Sequence, residues 1–129
     1  MLKKKLGIEA IESDWPNEGE EVDNFFKISP KLTIPEGCEK IGFGAFCDCW
    51  ELKKIEIPEG VESIGSSAFW NCCKLKKVVI PKSVESIGEE AFCRCSNATI
   101  ILRKPEKDFK YIGLDAFYRV KDVKEEIRY

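Results

Sequence analysis

Residues Ile57 to Val79 read IPEGVESIGSSAFWNCCKLKKVV, and the stretches on either side repeat them. Ile34 to Glu56 is IPEGCEKIGFGAFCDCWELKKIE and Ile80 to Leu102 is IPKSVESIGEEAFCRCSNATIIL, so three units align without gaps at a period of 23. A fourth, KYIGLDAFYRVKDV from Lys110 to Val123, follows a short insertion and repeats the IG..AF core at a spacing of 25. LTIP at Leu32 to Pro35 supplies the end of a preceding half-unit. A fixed period of this size marks a stacked-repeat architecture, in which no unit buries its own apolar face and neighbours make one continuous core.

Stacking sorts the residues into columns. Apolar columns are Ile41, Ile64, Ile87, Ile112, then Ala45, Ala68, Ala91, Ala116, and beside them Phe46, Phe69, Phe92, Phe117. Two more are expected as Leu52, Leu75, Ala98, Val123 and as Ile55, Val78, Ile101. Glycine at 42, 65, 88 and 113 suits a tight turn that needs either a positive φ or a close backbone approach. Proline at 35, 58 and 81 follows an alternating apolar run and ends a strand there. Each coil therefore reads as a strand (LKKIEI or LKKVVI), a Pro turn, an extended V-E-S-I segment, and one helical turn around the Ala-Phe pair. The fold class is a repeat solenoid, a short parallel-β stack of about four coils that rises about 20 Å at the usual strand spacing. Its open ends need caps. Residues 1–31 are the expected N-terminal cap, 32–123 the solenoid and 124–129 the C-terminal cap or tail. NEGEEVD reads as a loop and FFKI as a segment packed on the first coil, while Val120, Val123 and Ile127 form a weak helical stripe.

The pattern IP..V..IG..AF..C..L..I resembles the BspA-like class of leucine-rich repeats. The resemblance rests on Pro35/58/81, the Ile41 and Gly42 columns, the Ala-Phe pairs, Cys49/72/95 and Leu52/75, and it covers Leu32 to Val123. Val120 stands where a fourth Cys belongs. The resemblance implies a non-catalytic binding protein, in a family often displayed at cell surfaces and associated with adhesion.

Composition excludes other classes. The chain has 129 residues, one domain's worth, with 43% hydrophobic and 34% charged residues. A net charge of −2 supplies no global field for nucleic acid or an acidic membrane. No apolar run reaches the ~20 residues that span a bilayer. The N-terminal MLKKKLGIEAIESDW lacks the apolar h-region of a signal peptide, so the expected location is cytoplasmic, with the cell surface as the alternative. Seven cysteines, an odd number, are then reduced thiols. The chain has no histidine, the commonest general base and metal ligand. Cys49, Cys72 and Cys95 fall in one column as small buried groups and cannot converge on one zinc ion. Cys47 and Cys93, two coils apart, are beyond disulfide reach. Glu39, Glu62 and Glu85 form a column of like charges expected to raise one another's pKa; it reads as a solvated face, with a cation site as the alternative. Neither a P-loop nor G-x-G-x-x-G is present, and no base-nucleophile pair is visible. No catalytic residue, metal or cofactor is expected.

A binding surface is expected instead. Strand alternation turns Ile55 and Ile57 inward and leaves Lys54 and Glu56 outward, followed by Lys77 and Val79 in the next coil. Some of Ile100, Leu102 and Arg103 then face out, which makes Leu102 the apolar end of the strip. Phe43, Trp50 and Trp70 occupy columns that the repeat does not require to be aromatic, so they are further contact candidates. The expected function is a protein-protein interaction module that binds a protein or peptide on its strand face. The alternative is a fragment of a cell-surface adhesion protein.

Overall fold

The computed structural model describes residues 31–34 and 36–128; the expected N-terminal cap lies outside them except for Lys31, and so does Pro35. Two parallel sheets run the length of the stack. The first holds five strands: β1 (Lys31–Thr33), β3 (Lys54–Glu56), β5 (Lys77–Ile80), β7 (Thr99–Leu102) and β9 (Asp122–Glu125). The second holds β2 (Lys40–Ile41), β4 (Ser63–Ile64), β6 (Ser86–Ile87) and β8 (Tyr111–Ile112). Each coil contributes one strand to each sheet, as a parallel β-solenoid requires. The Pro turn between them closes through Val61 N–H donating to the Pro58 carbonyl at 3.4 Å and Val84 N–H to that of Pro81 at 3.1 Å.

The expected helical turn around Ala-Phe is absent. Residues 42–49 and their equivalents form a third hydrogen-bonded ladder made of turns. Ala45, Cys47 and Cys49 donate to the carbonyls of Gly42, Gly44 and Phe46 in their own coil. The intervening Gly44, Phe46 and Asp48 donate to Ser66, Ala68 and Trp70 in the next coil, at 2.7 to 3.0 Å. The pattern repeats from coil two to three and from three to four. A left-handed residue recurs at every fourth position, Gly44 and Asp48, then Ser67 and Asn71, Glu90 and Arg94, Asp115 and Arg119. A right-handed helix cannot continue through such a residue, so alternate N–H groups are free to bond between coils.

The core is columnar. Phe46, Phe69 and Phe92 are fully buried, and each ring stacks on the next at 5.2 and 5.0 Å, with Phe117 a further 6.0 Å along. The Ile41 column and the Ala column flank them, buried through the first three coils. The insertion before the fourth unit holds a single 3-10 turn, Glu106–Asp108, and returns Phe109 to the core with 8% exposure. Lys110 N–H donates to the Glu85 carbonyl just as Glu85 does to Glu62, so Phe109 follows Cys38, Val61 and Val84 in their column.

Two expected columns are corrected by register. β5 pairs with β7 as Val78↔Ile100 and Ile80↔Leu102, an offset of 22 rather than 23. Two residues separate Leu75 from Val78, but only one separates Ala98 from Ile100. Ile100 therefore joins Ile55 and Val78, and Ile101 turns outward. A slip of one residue exchanges the faces of a strand. Val123 pairs with Ile100 and belongs to that same column, not to the Leu52 column. The tail is also strand where a helical stripe was expected: β9 extends the first sheet through Glu125.

Candidate functional site

Most of the exposed residues expected on the strand face come together. Lys54, Glu56, Lys77 and Val79 line one groove of about 630 Å³, joined by Lys53 and Lys76. Lys54 and Lys77 are register partners and both are exposed, so two lysine side chains leave the same face from backbones one strand spacing apart, about 4.8 Å. Ile55 and Ile57 reach its floor from the buried side. Both strands are interior to the sheet, so their lysines do not protect an edge.

Leu102 does not belong to this face. It is fully buried, as is Ile100, and the outward residue of that coil is Ile101. Ile101 is itself only 4% exposed and offers no free apolar anchor. The outward rows run Lys54, Lys77, Thr99, Asp122 and, beside it, Glu56, Val79, Ile101, Lys124. The face thus passes from basic in the early coils to mixed charge in the last, whereas an apolar end was expected.

The three aromatics are not in the groove. Trp50 is 47% exposed, with the Lys74 ammonium 5.9 Å from its ring centre, and Lys74 also pairs with Glu51 at 2.8 Å. Trp70 is half-buried on the turn ladder, under the Arg94 guanidinium at 6.0 Å. It therefore shields a coil edge. Phe43 is 79% exposed and shares a second hollow with Ser66, Glu89 and Leu114, the other members of its column. Leu114, 73% exposed at the far end of that row, was not singled out from the sequence. A column whose members are Phe, Ser, Glu and Leu carries no periodic signal.

The cysteine column has a second role besides packing. Cys72 Sγ donates to the Phe46 carbonyl at 3.1 Å and Cys95 Sγ to that of Phe69 at 3.0 Å. Each thiol thus ties its coil to the preceding phenylalanine's backbone. The neighbouring Cys49 and Cys95 thiols, and then burial, push the Cys72 thiol far above its ordinary 9.0. Cys47, exposed, is also raised, by partial burial and then by the Asp48 carboxylate. Alkylation of the native protein near pH 8 should therefore reach Cys47 and Cys73 first, Cys47 more slowly than free cysteine. Cys38, Cys49, Cys72, Cys93 and Cys95 are buried and should react only on unfolding. Because the folded state holds the Cys72 proton, its stabilising effect is complete below the unfolded pKa. It is lost as pH rises above 9.0, by up to about 1.36 kcal/mol per pH unit for that thiol. Mass-spectrometric mapping and urea titrations from pH 7 to 11 check both; Cys72 labelled as fast as Cys47 would refute the packing.

Glu85 departs from expectation. Its carboxyl is held below the ordinary range by Lys104 and then Lys110, whose ammonium groups lie 3.5 and 3.4 Å away. Nearby cations outweigh the like charge of the column. Among the described residues, no group of three or more His, Cys, Asp or Glu is placed to hold a metal ion. No helix among them is long and apolar enough to cross a membrane.

Comparison with known proteins agrees with this geometry. No curated protein matches the chain. One solved structure, a leucine-rich cell surface protein from Faecalibacterium prausnitzii A2-165, is similar at 32% identity and a TM-score of 0.56 over 70% of this chain. The chain spans 27% of that protein's length. Repeats of this kind form protein-interaction or surface modules and are typically non-catalytic. The cytoplasmic location expected from the sequence gains no support from a cell-surface neighbour. The family model of the BspA type leucine-rich repeat region, in 6 copies, matches residues 23–127, and the chain belongs to that family.

Proposed function

We propose that this solenoid is a non-catalytic interaction module that binds a protein or peptide segment along its five-stranded face. One observation carries the reading: Lys54, Glu56, Lys77 and Val79 line a single groove on the interior strands of a sheet. Parallel strands locked in register hold these side chains on a rigid strip, so little ordering cost is left for the moment of binding. Val79, half-buried at the centre, is the apolar anchor, and the lysines form a polar rim. The test is made on a partner recovered by pull-down and identified by mass spectrometry. Val79→Glu should keep the wild-type circular dichroism yet weaken binding more than tenfold, about 1.4 kcal/mol. Lys54→Glu should act mainly through a slower, salt-sensitive on-rate in stopped-flow. If both variants bind normally while Trp50→Ala or Trp70→Ala abolishes binding, the turn edge is the working surface.

A second reading, display at the cell surface as part of an adhesion protein, is favoured by the structural neighbour, a leucine-rich cell surface protein. Protease added to intact cells should then degrade the protein; protection equal to that of a cytosolic marker argues against it.

A further inference from the structure

We infer that the groove on the five-stranded face takes an acidic, extended polypeptide segment, one whose carboxylates alternate with apolar residues. The inference rests on the strand face being the binding surface and adds the chemistry of its partner. Four lysines, Lys53, Lys54, Lys76 and Lys77, line the groove, and Glu56 is the one carboxylate lining it among the described residues. Four cations outside the groove are paired with carboxylates: Lys74 with Glu51, Arg103 with Glu126, and both Lys104 and Lys110 with Glu85. Among the described residues the groove lysines make no such pair. In a protein of net charge −2, four lysines against one carboxylate make this groove locally positive.

That arrangement opposes the fold's own stability. Like charges directly opposite on neighbouring strands repel, and Lys54 faces Lys77 in register. Neither lysine is needed for the repeat, since in the third coil the same row carries Thr99. A local cost without structural return is the mark of a site. Carboxylates of a bound segment would relieve it by pairing with lysines that rise from neighbouring strands about 4.8 Å apart. Strand alternation supplies the rest of the match. Val79 and the Ile55–Ile57 floor lie beside the lysine row, so an extended segment can present acidic and apolar side chains to the two in turn. Among the described residues no aromatic side chain lines the groove, whereas single-stranded nucleic acid is held by stacking on aromatics.

The probe is a fluorescein-labelled peptide, Asp-Val-Glu-Leu-Asp-Val-Glu-Leu, compared with its Asn/Gln isostere and with a thymidine oligonucleotide, by fluorescence anisotropy on the full chain. The acidic peptide should bind, and its affinity should fall at least tenfold between low and physiological salt. The isostere should bind at least tenfold more weakly. The double variant Lys54→Glu with Lys77→Glu should lose the acidic peptide by at least tenfold, while Lys54→Gln with Lys77→Gln, milder for the fold, should give an intermediate loss. Equal binding of acidic peptide and isostere, with Val79→Glu disrupting both, would leave the strand face as the site and overturn the acidic chemistry. Peptide binding that ignores the lysine variants but is lost with Trp50→Ala or Trp70→Ala would overturn the strand face itself. No binding of the acidic peptide, or tighter binding of the oligonucleotide, would overturn the inference.

Discussion

Phe69→Ala should lower stability by about 3–5 kcal/mol, the range for deleting a buried phenylalanine. Phe69 is fully buried and stacked on both sides, at 5.2 Å from Phe46 and 5.0 Å from Phe92. Its loss breaks the column in two places and leaves a void between coils whose backbones are hydrogen-bonded on either side, so the site cannot collapse. Set against a typical total of about 5–15 kcal/mol, the change should bring the melting temperature down sharply in circular dichroism. Phe117→Ala, at the half-buried end of the same column, should cost less. Equal costs for the two would mean that the rings stack without sharing a close-packed core.

Gly88→Ala should be at least as damaging, for a reason found in the backbone. A Cβ on Gly88 would lie 2.3 Å from the Ser66 nitrogen and 2.7 Å from both the Gly65 carbonyl carbon and the Ser66 Cα. All three are main-chain atoms of the previous coil, so no side chain can rotate away. That coil is held in place by Gly88 N–H donating to the Ile64 carbonyl at 2.8 Å and by the β4–β6 pairing around it. The methyl group fits only if the coils part. The expected cost exceeds about 4 kcal/mol, in the exceptional tail of single substitutions. Gly60→Ala is the control: its φ is +104 but nothing lies within 4 Å, so it should show only the conformational cost, about 1–3 kcal/mol. Urea denaturation of the two variants separates close approach from backbone strain. A Gly88→Ala cost no larger than that of Gly60→Ala would show slack between coils.

The glycine column illustrates what a sequence shows and where it stops. Its period of 23 made it visible, but positive φ and close approach remained equal explanations. The coordinates assign close approach to Gly65, Gly88 and Gly113, and positive φ to the position two residues later. There the occupants are Gly44, Ser67, Glu90 and Asp115, too varied to register as a motif. The helical turn expected around Ala-Phe failed for the same reason, since the left-handed residues that prevent it are mostly not glycine.

The strand face divides in the same way. Lys54, Glu56, Lys77 and Val79 were legible because alternation within one strand sets inside from outside. Leu102 was misplaced because NATIIL is apolar at 100, 101 and 102, and alternation among three consecutive apolar residues has no visible phase. Hydrogen bonding of Val78 to the level of Ile100 decided it.

From the sequence alone came the solenoid, its unit length, its inward Phe, Ile and Cys columns and its family resemblance, because in a stack of near-identical coils chemical identity recurs wherever the environment recurs. Only the tertiary structure decided the register of the third and fourth coils, the turn ladder, the displacement of Leu102 and the clustering of unpaired lysines. Each of these depends on what lies in the neighbouring coil, and a contact between chain segments more than twenty residues apart leaves no mark on either segment unless both keep the same residue.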